Sequence, residues 1–260
     1  MKNALRYLLS ACALRKRAES PGPVLQDFSE FSGIPLSTIR ARIKKFPSLM
    51  NREWDRIPSH DHTGKAREFY SGSEYYIYDL LSYNPGKEKL IAKLNRFNPG
   101  IIKLVREHPG KEFLEFGGGT GLFCEIACEF GKRVTYLDVP GKISDFARWR
   151  FNKHGIRADI IIVDPVMPLE LNGQYDIIFT DAALEHVVDP VQAAGELSSH
   201  VRDNGLLVLL IDLSGPSDKF HMHRACDIEA IHGAVKSSGL RNLFGEHTYC
   251  SAWKKDMRNE

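Results

Sequence analysis

Glu115-Phe116-Gly117-Gly118-Gly119-Thr120-Gly121 is the stretch on which the fold turns. It continues the apolar run Phe113-Leu114-Glu115-Phe116 and leads into a helical pattern that starts near Gly121, which makes it a strand, a glycine-rich turn and a helix start in succession. Glycines at 117, 119 and 121 let the backbone pass close under a ligand where a Cβ would obstruct it, and the helix start offers free N–H groups. Such a turn also suits nicotinamide and flavin cofactors. The dinucleotide fingerprint, however, wants a glycine three residues after Gly119, and that position is Leu122. No phosphate-binding lysine follows, which removes the nucleotide-triphosphate loop. The remaining reading is a wide turn at Thr120-Gly121 suited to a thioether-linked nucleoside with an amino-acid tail, whose ammonium group Glu115 would face, directly or through a water.

Working outward, short apolar runs alternate with amphipathic stretches from Lys111 onward. The runs are Phe113–Phe116, Val134–Asp138, Ile160–Asp164, Tyr175–Thr180 and Leu206–Asp212, with helices starting near Gly121, Lys142, Pro190 and Arg224. That alternation predicts a parallel sheet with helices on both faces. Asn242–Phe244 and Thr248–Lys254 are strand-like and close together, which predicts a closing antiparallel hairpin. Asp138 ends the second run, 17 residues after Gly121, where a carboxylate can accept both hydroxyls of a ribose. Asp164 ends the third and would point into the crevice at the carboxyl edge of the sheet, within reach of an adenine amino group.

The fourth run continues as Tyr175-Asp176-Ile177-Ile178-Phe179-Thr180-Asp181-Ala182-Ala183-Leu184-Glu185-His186-Val187-Val188-Asp189-Pro190. An aspartate opening the strand and a Leu-Glu-His turn followed by Asp-Pro resemble the fourth-strand motif of class I S-adenosylmethionine-dependent methyltransferases. Glu115–Gly121 resembles the first motif of that family, Asp138 the second, and Val201–Val208 the segment leading into the fifth strand. The resemblance spans roughly residues 111–255. It departs at Gly118, where Cys or Ser is frequent; glycine there is expected to loosen the loop and to block nothing. The resemblance implies a doubly wound, seven-stranded, mostly parallel α/β sheet with a C-terminal antiparallel hairpin. It implies S-adenosylmethionine as cofactor, held by Glu115, Gly117, Gly119, Gly121, Asp138, Asp164 and the backbone near Asp181, with Val139 on the adenine face. In the family's Leu-Glu-His turn the histidine mainly orders the loop, but His186 stays a catalytic candidate. His221 and His223 join it as bases for an unionised acceptor. In an extended segment those two side chains point to opposite sides, so they do not chelate one metal.

Residues 1–108 read as a helical N-terminal region and residues 109–260 as the cofactor domain. Val24–Ser32, Gly33-Ile34-Pro35 and Leu36–Phe46 form a helix-turn-helix-like pair, with Pro47 expected to end the second helix. Asn51–Arg67 is polar and reads as irregular. Phe69–Tyr83 is dense in aromatics and is expected to form a lid, with Tyr70, Tyr76 and Tyr78 toward the substrate. Lys87–His108 is helical, interrupted at Asn98-Pro99-Gly100. At the start of the chain Leu5, Leu8, Leu9 and Cys12 fall at helical spacing, while Arg6 and Arg15-Lys16-Arg17 argue against a secretory leader.

Charge is divided between the regions. Residues 1–110 carry 19 Lys and Arg against 11 acids, and the remainder 16 against 22. Five scattered cysteines form no disulfide framework, and Cys124 and Cys128, four apart on one helix, lack a matching ligand pair for a metal. No apolar run approaches the ~20 residues of a membrane helix. These features lead to an expectation of a cytoplasmic enzyme methylating an oxygen or nitrogen of a small metabolite, without membrane or metal, with a homodimer as the assembly to test. The basic first region keeps a nucleic-acid or protein substrate, or a DNA-binding cofactor sensor, as the alternative. Nucleic acid is the less favoured partner, because Arg40, Arg42, Lys44 and Lys45 spread around their helix instead of forming one stripe.

Overall fold

A computed structural model of the protein describes residues 22–59 and 61–257; the helix expected around Leu5–Cys12 lies outside them. The described residues form seven strands and eleven α-helices. Seven helices come first: α1 (Pro23–Ser32), α2 (Leu36–Ile43), α3 (Phe46–Arg56), α4 (His62–Gly72), α5 (Tyr76–Tyr83), α6 (Lys87–Phe97) and α7 (Gly100–Glu107). The alternating part follows as β1 (Glu112–Phe116), α8 (Leu122–Glu129), β2 (Arg133–Asp138), α9 (Lys142–His154), β3 (Ala158–Ile162), β4 (Tyr175–Asp181), α10 (Pro190–Ser199), β5 (Val201–Leu210), α11 (Ile228–Ser237), β6 (Leu240–Phe244) and β7 (Cys250–Lys255). The strand order is β3-β2-β1-β4-β5-β7-β6. β1 to β5 are parallel, and β7 runs antiparallel to both β5 and β6.

The central strands are apolar on both faces and alternate strictly between two cores. Phe113, Ile177, Phe179, Leu206 and Val208 join one; Leu114, Ile178, Leu207 and Leu209 join the other. The second core lies under α10 and α11, through Ala194, Leu197, Ile231 and Val235. The first lies under α8 and α9 and runs without a break into the N-terminal helices. Phe28 meets Tyr78 and Phe146 edge-on at 5.8 and 5.2 Å. Arg150, 2% exposed, ties the two parts further through Asp27 at 3.0 Å and Glu125 at 2.7 Å.

Three local expectations change. The stretch expected to be irregular, 51–67, is mostly helical. α3 buries Phe46, Met50 and Trp54, four residues apart, and its polar face hides that period. Pro47 opens α3 instead of ending α2, since the missing N–H of proline does no harm in a first turn. The helix placed near Arg224 starts at Ile228, where Asp227 caps it by accepting from the Ala230 amide at 3.0 Å. The helix-turn-helix pair exists, hinged at Gly33 with φ 70°. Its basic residues divide: Arg42 donates to the Tyr78 hydroxyl at 2.6 Å and lies over that ring, while Arg40, Lys44 and Lys45 are exposed.

Candidate active site

The loops after β1, β2, β3 and β4 meet at the carboxyl edge of the sheet, where the strand order reverses between β1 and β4; open α/β sheets bind ligands at that place. They enclose a cavity of about 210 Å³. Gly117 and Gly119 line it with φ of 68° and 53°, values that a side chain would strain. A Cβ on Gly117 would stand 2.3 Å from that of Ala183, and one on Gly119 3.3 Å from Leu80. Gly118 is not a mere loosening. A Cβ there would lie 2.4 Å from the Tyr136 ring, which fills the space and whose hydroxyl shares its one proton between the Gly119 carbonyl at 2.9 Å and the Asp138 carboxylate. Gly121 does not line the cavity; a Cβ there would meet the Phe151 ring at 2.6 Å, so its role is to let α9 pack close.

Asp138 lines the cavity. One oxygen accepts from the Gly119 amide at 2.7 Å and from the Tyr136 hydroxyl at 3.1 Å, and the other from the Val139 amide at 2.7 Å. Burial pushes its carboxyl above the usual range, and these three donors draw it part of the way back. Val139 and Asp164 line the same cavity. Asp164 is exposed, holds the Val166 amide at 3.0 Å and pairs with Arg67 of α4 at 3.2 Å. Asp181 pairs with Lys93 of α6 at 2.7 Å. Glu115 is turned away. With a period of two along β1, its side chain falls on the α8 face, where Oε2 accepts from the Cys124 amide at 2.9 Å. It is fully enclosed there, and burial raises its carboxyl to about 8. A direct contact with a ligand's ammonium is therefore not part of this geometry.

A second cavity of about 360 Å³ adjoins the first across a shared wall of Tyr76, Leu80, Asp181, Ala182 and His186. Ala182 carries φ 56°, an uncommon backbone conformation for a residue other than glycine, at the junction of the two spaces. Of the aromatic trio, Tyr70 and Tyr76 line the first cavity, whereas Tyr78 points into the core, because it lies about 200° around the helix from Tyr76. Of the three histidines, His186 lies at the shared wall, 2.6 Å from the Tyr70 hydroxyl through Nδ1. Burial, then the neighbouring His223 and His62, hold its pKa well down, so it is a neutral imidazole. His223 lines the second cavity, stacked on Phe220 at 4.5 Å and likewise lowered by burial. His221 points the other way to Asp55 at 2.9 Å and lines neither space.

Residues 82–256 match the family model described as methyltransferase domain. The chain belongs to that methyltransferase family. It is 25% identical over 169 residues to a ubiquinone biosynthesis O-methyltransferase of Stutzerimonas stutzeri, covering 64% of this chain and 60% of that one. It is 33% identical over 124 residues to the Bordetella pertussis enzyme of the same name, covering 45% and 51%. The chain thus spans about half to three-fifths of the length of these curated relatives. Magnesium protoporphyrin IX methyltransferase from Synechocystis, solved with bound S-adenosylmethionine, shares the fold with a TM-score of 0.54 at 13% identity, over 76% of this chain and 97% of that one. An O-methyltransferase family protein from Burkholderia thailandensis does so with a TM-score of 0.52 at 13% identity, over 84% and 72%.

For a methyltransferase cofactor the first cavity fits. The cradle at Gly117 and Gly119 would be closed by any Cβ, and a half-buried acid stands at the end of β2 beside the apolar Val139. Sequence reading alone missed Lys93, Asp79, Glu185 and Tyr136. Asp79 carried a signal, a lone acid within the apolar run Tyr76-Ile77-Tyr78-Asp79-Leu80-Leu81; Lys93 carried none.

Proposed function

We propose that this methyltransferase transfers the methyl group of S-adenosylmethionine to an oxygen or nitrogen of a small molecule, oxygen being favoured by the names of its relatives. The observation that carries the reading is the pair of cavities meeting at Ala182 and His186, one built from the glycine loop and Asp138, the other large enough for a second small ligand. When bound, the cofactor supplies an already activated methyl group on a sulfonium. The chain's task is then alignment and exclusion of water. Asp138 and Val139 would hold the ribose and adenine, and Gly117 and Gly119 would let the rest approach the backbone. Tyr70 and Tyr76 close the cleft over it. His186, neutral and fixed by Tyr70, orders the turn between the cavities. His223, neutral and lining the acceptor space, is the base that takes a hydroxyl proton as the acceptor oxygen attacks. Residues up to about 108 act as the cap that supplies the acceptor side.

Asp138→Ala removes the acceptor of three hydrogen bonds and the ribose partner together. Calorimetric titration with S-adenosylhomocysteine is expected to show affinity reduced roughly ten- to a hundredfold, equivalent to about 1.5–3 kcal/mol. Unchanged affinity in a folded variant overturns the assignment of this cleft.

A further inference from the structure

The second cavity holds buried polar atoms that nothing satisfies. Both carboxylate oxygens of Glu185, a residue with 0% exposure, lack a hydrogen-bond partner among the described residues, and so do Asp79 Oδ1 and His223 Nδ1. The backbone amides of Glu185 itself and Asp212 face the Glu185 carboxyl but lie outside hydrogen-bond geometry. An unsatisfied buried acceptor costs roughly 1–3 kcal/mol, and folded proteins leave few of them. The cations nearest to hand are engaged elsewhere. Lys93 is paired with Asp181, and Lys219 donates to the Tyr83 hydroxyl at 2.8 Å. Asp212 adds a further acid, 3.7 Å from His223. The rim is aromatic and open: Tyr83, Phe97 and Tyr249 are 45%, 39% and 48% exposed, the last two edge-to-face at 5.3 Å.

We propose that this cavity recognises a methyl acceptor carrying a protonated amine on a ring-sized apolar body, with Glu185 and Asp79 receiving the ammonium and the aromatic rim surrounding the body. The proposal rests on the methyltransferase reading and names the acceptor class for it. An ammonium group offers donors only, which is what the unpartnered carboxylate oxygens require. A carboxylate or phosphate would enter a space lined by Asp79, Asp181, Glu185 and Asp212 with one lysine already paired. A neutral phenol brings one donor and leaves the rest unmet. Aromatic faces attract a cation further. Burial pushes the carboxyls of Glu185 and Asp79 up to about 8 and about 7, and an ammonium placed between them favours their ionised form.

The test uses the full chain saturated with S-adenosylhomocysteine and three probes sharing one para-substituted phenol: tyramine, para-ethylphenol and para-hydroxyphenylpropionate. Tyramine is expected to bind at least about tenfold more tightly than the neutral probe, with the acid weakest. Glu185→Gln and Asp79→Asn are each expected to abolish that preference and, at a pH above about 8 where both carboxyls are ionised, to raise the Tm of the ligand-free protein, because each then removes an unpartnered buried charge; an ordinary structural acid would lower it. Equal affinity for the three probes, a preference for the acid, or binding of none overturns the inference. Cofactor binding and methyl transfer to any phenol in the set are read separately, so a functioning enzyme with the wrong charge preference sinks this proposal and leaves the methyltransferase reading standing.

Discussion

The two cavities lie on either side of Ala182 and treat their polar groups in opposite ways. In the cofactor cleft Asp138 accepts three hydrogen bonds, and Asp164 both an amide and a guanidinium. In the acceptor cavity Glu185, Asp79 and His223 keep atoms with no partner. The cleft is finished before any ligand arrives, whereas the neighbouring cavity is left for its ligand to complete. The polar groups of the first come from short loops at four strand ends, with Tyr70, Tyr76 and Leu80 as an apolar wall from the N-terminal helices. The second draws on α5, α6, the turn after β4 and the segment after β5, so its shape depends on the N-terminal helices.

That dependence gives the largest expected effect. Removing residues 1–84 takes away Phe28, Phe69, Ile77 and Tyr78, all buried in the core shared with Phe146. Losing four such side chains, at about 1.5–3 kcal/mol each, is comparable to the whole stability of an ordinary domain. Fragment 85–260 is expected to be insoluble or unfolded by circular dichroism. A folded fragment with normal affinity for S-adenosylhomocysteine would make the cap dispensable and break the contrast between the two cavities.

Next comes the loop. Gly118→Ser places a Cβ 2.4 Å from the Tyr136 ring, which then has to leave the position from which its hydroxyl reaches Gly119 and Asp138. Overpacking of this kind costs about 1–3 kcal/mol, and the expected result is a lower Tm together with roughly tenfold weaker cofactor binding. Gly118→Ser with Tyr136→Phe is expected to recover little, since the ring and not the hydroxyl is the obstacle. A Gly118→Ser protein with normal cofactor affinity would show that the loop tolerates the residue common elsewhere in the family.

How much of this was legible follows from the same contrast. The glycine loop, Asp138 and the Leu-Glu-His turn sit at fixed offsets from strands with a plain apolar pattern, so the fold and the loops that line the cavity at the strand ends could be read along the chain. Glu115 lies on the α8 side, because its register and not its place in the motif decides its face. Tyr78 misled because aromatic density does not say which side of a helix faces a cavity. His221 and His223 are two apart, and only packing against Asp55 or Phe220 separates their roles. The pairing of Lys93 with Asp181 joins positions 88 residues apart and has no local trace.

The orphaned carboxyls also make a pH prediction. Glu185 has a folded-state pKa of about 8 against an ordinary 4.5, so between those values the folded state holds more protons than the unfolded one. Its contribution is therefore fully present at low pH and lost as pH rises toward 8. Lowered histidines such as His186 act in the opposite sense, but only below their ordinary 6.5, which leaves about pH 6.5 to pH 8 as the clean window. There stability is expected to fall on the order of 1 kcal/mol per pH unit for each such carboxyl. Glu185→Gln should flatten part of the slope and not all of it, because Glu115, also at about 8, keeps its share. Urea denaturation across that window checks it; an unchanged slope would mean that Glu185 already has a partner in solution.

The smallest effect belongs to Arg67, and it tests how self-sufficient the cleft is. Arg67 reaches from α4 to Asp164 on the cavity wall, where its guanidinium donates to both carboxylate oxygens. Both side chains are open to water, 55% and 42% exposed, where screening and side-chain entropy leave an ion pair little net value. Asp164 does not depend on it for position, because the Val166 amide holds the same carboxylate at 3.0 Å and is the largest cause of its lowered pKa. Arg67→Ala is therefore expected to leave the Tm unchanged and to weaken S-adenosylhomocysteine binding less than about threefold. The apolar walls that α4 and α5 lend to the cleft, Tyr70, Tyr76 and Leu80, remain in place in that variant. A tenfold loss would show instead that the N-terminal helices clasp the cofactor through a polar latch. The cleft would then be completed by a distant segment just as the acceptor cavity is, and the division between a finished site and an unfinished one would fail.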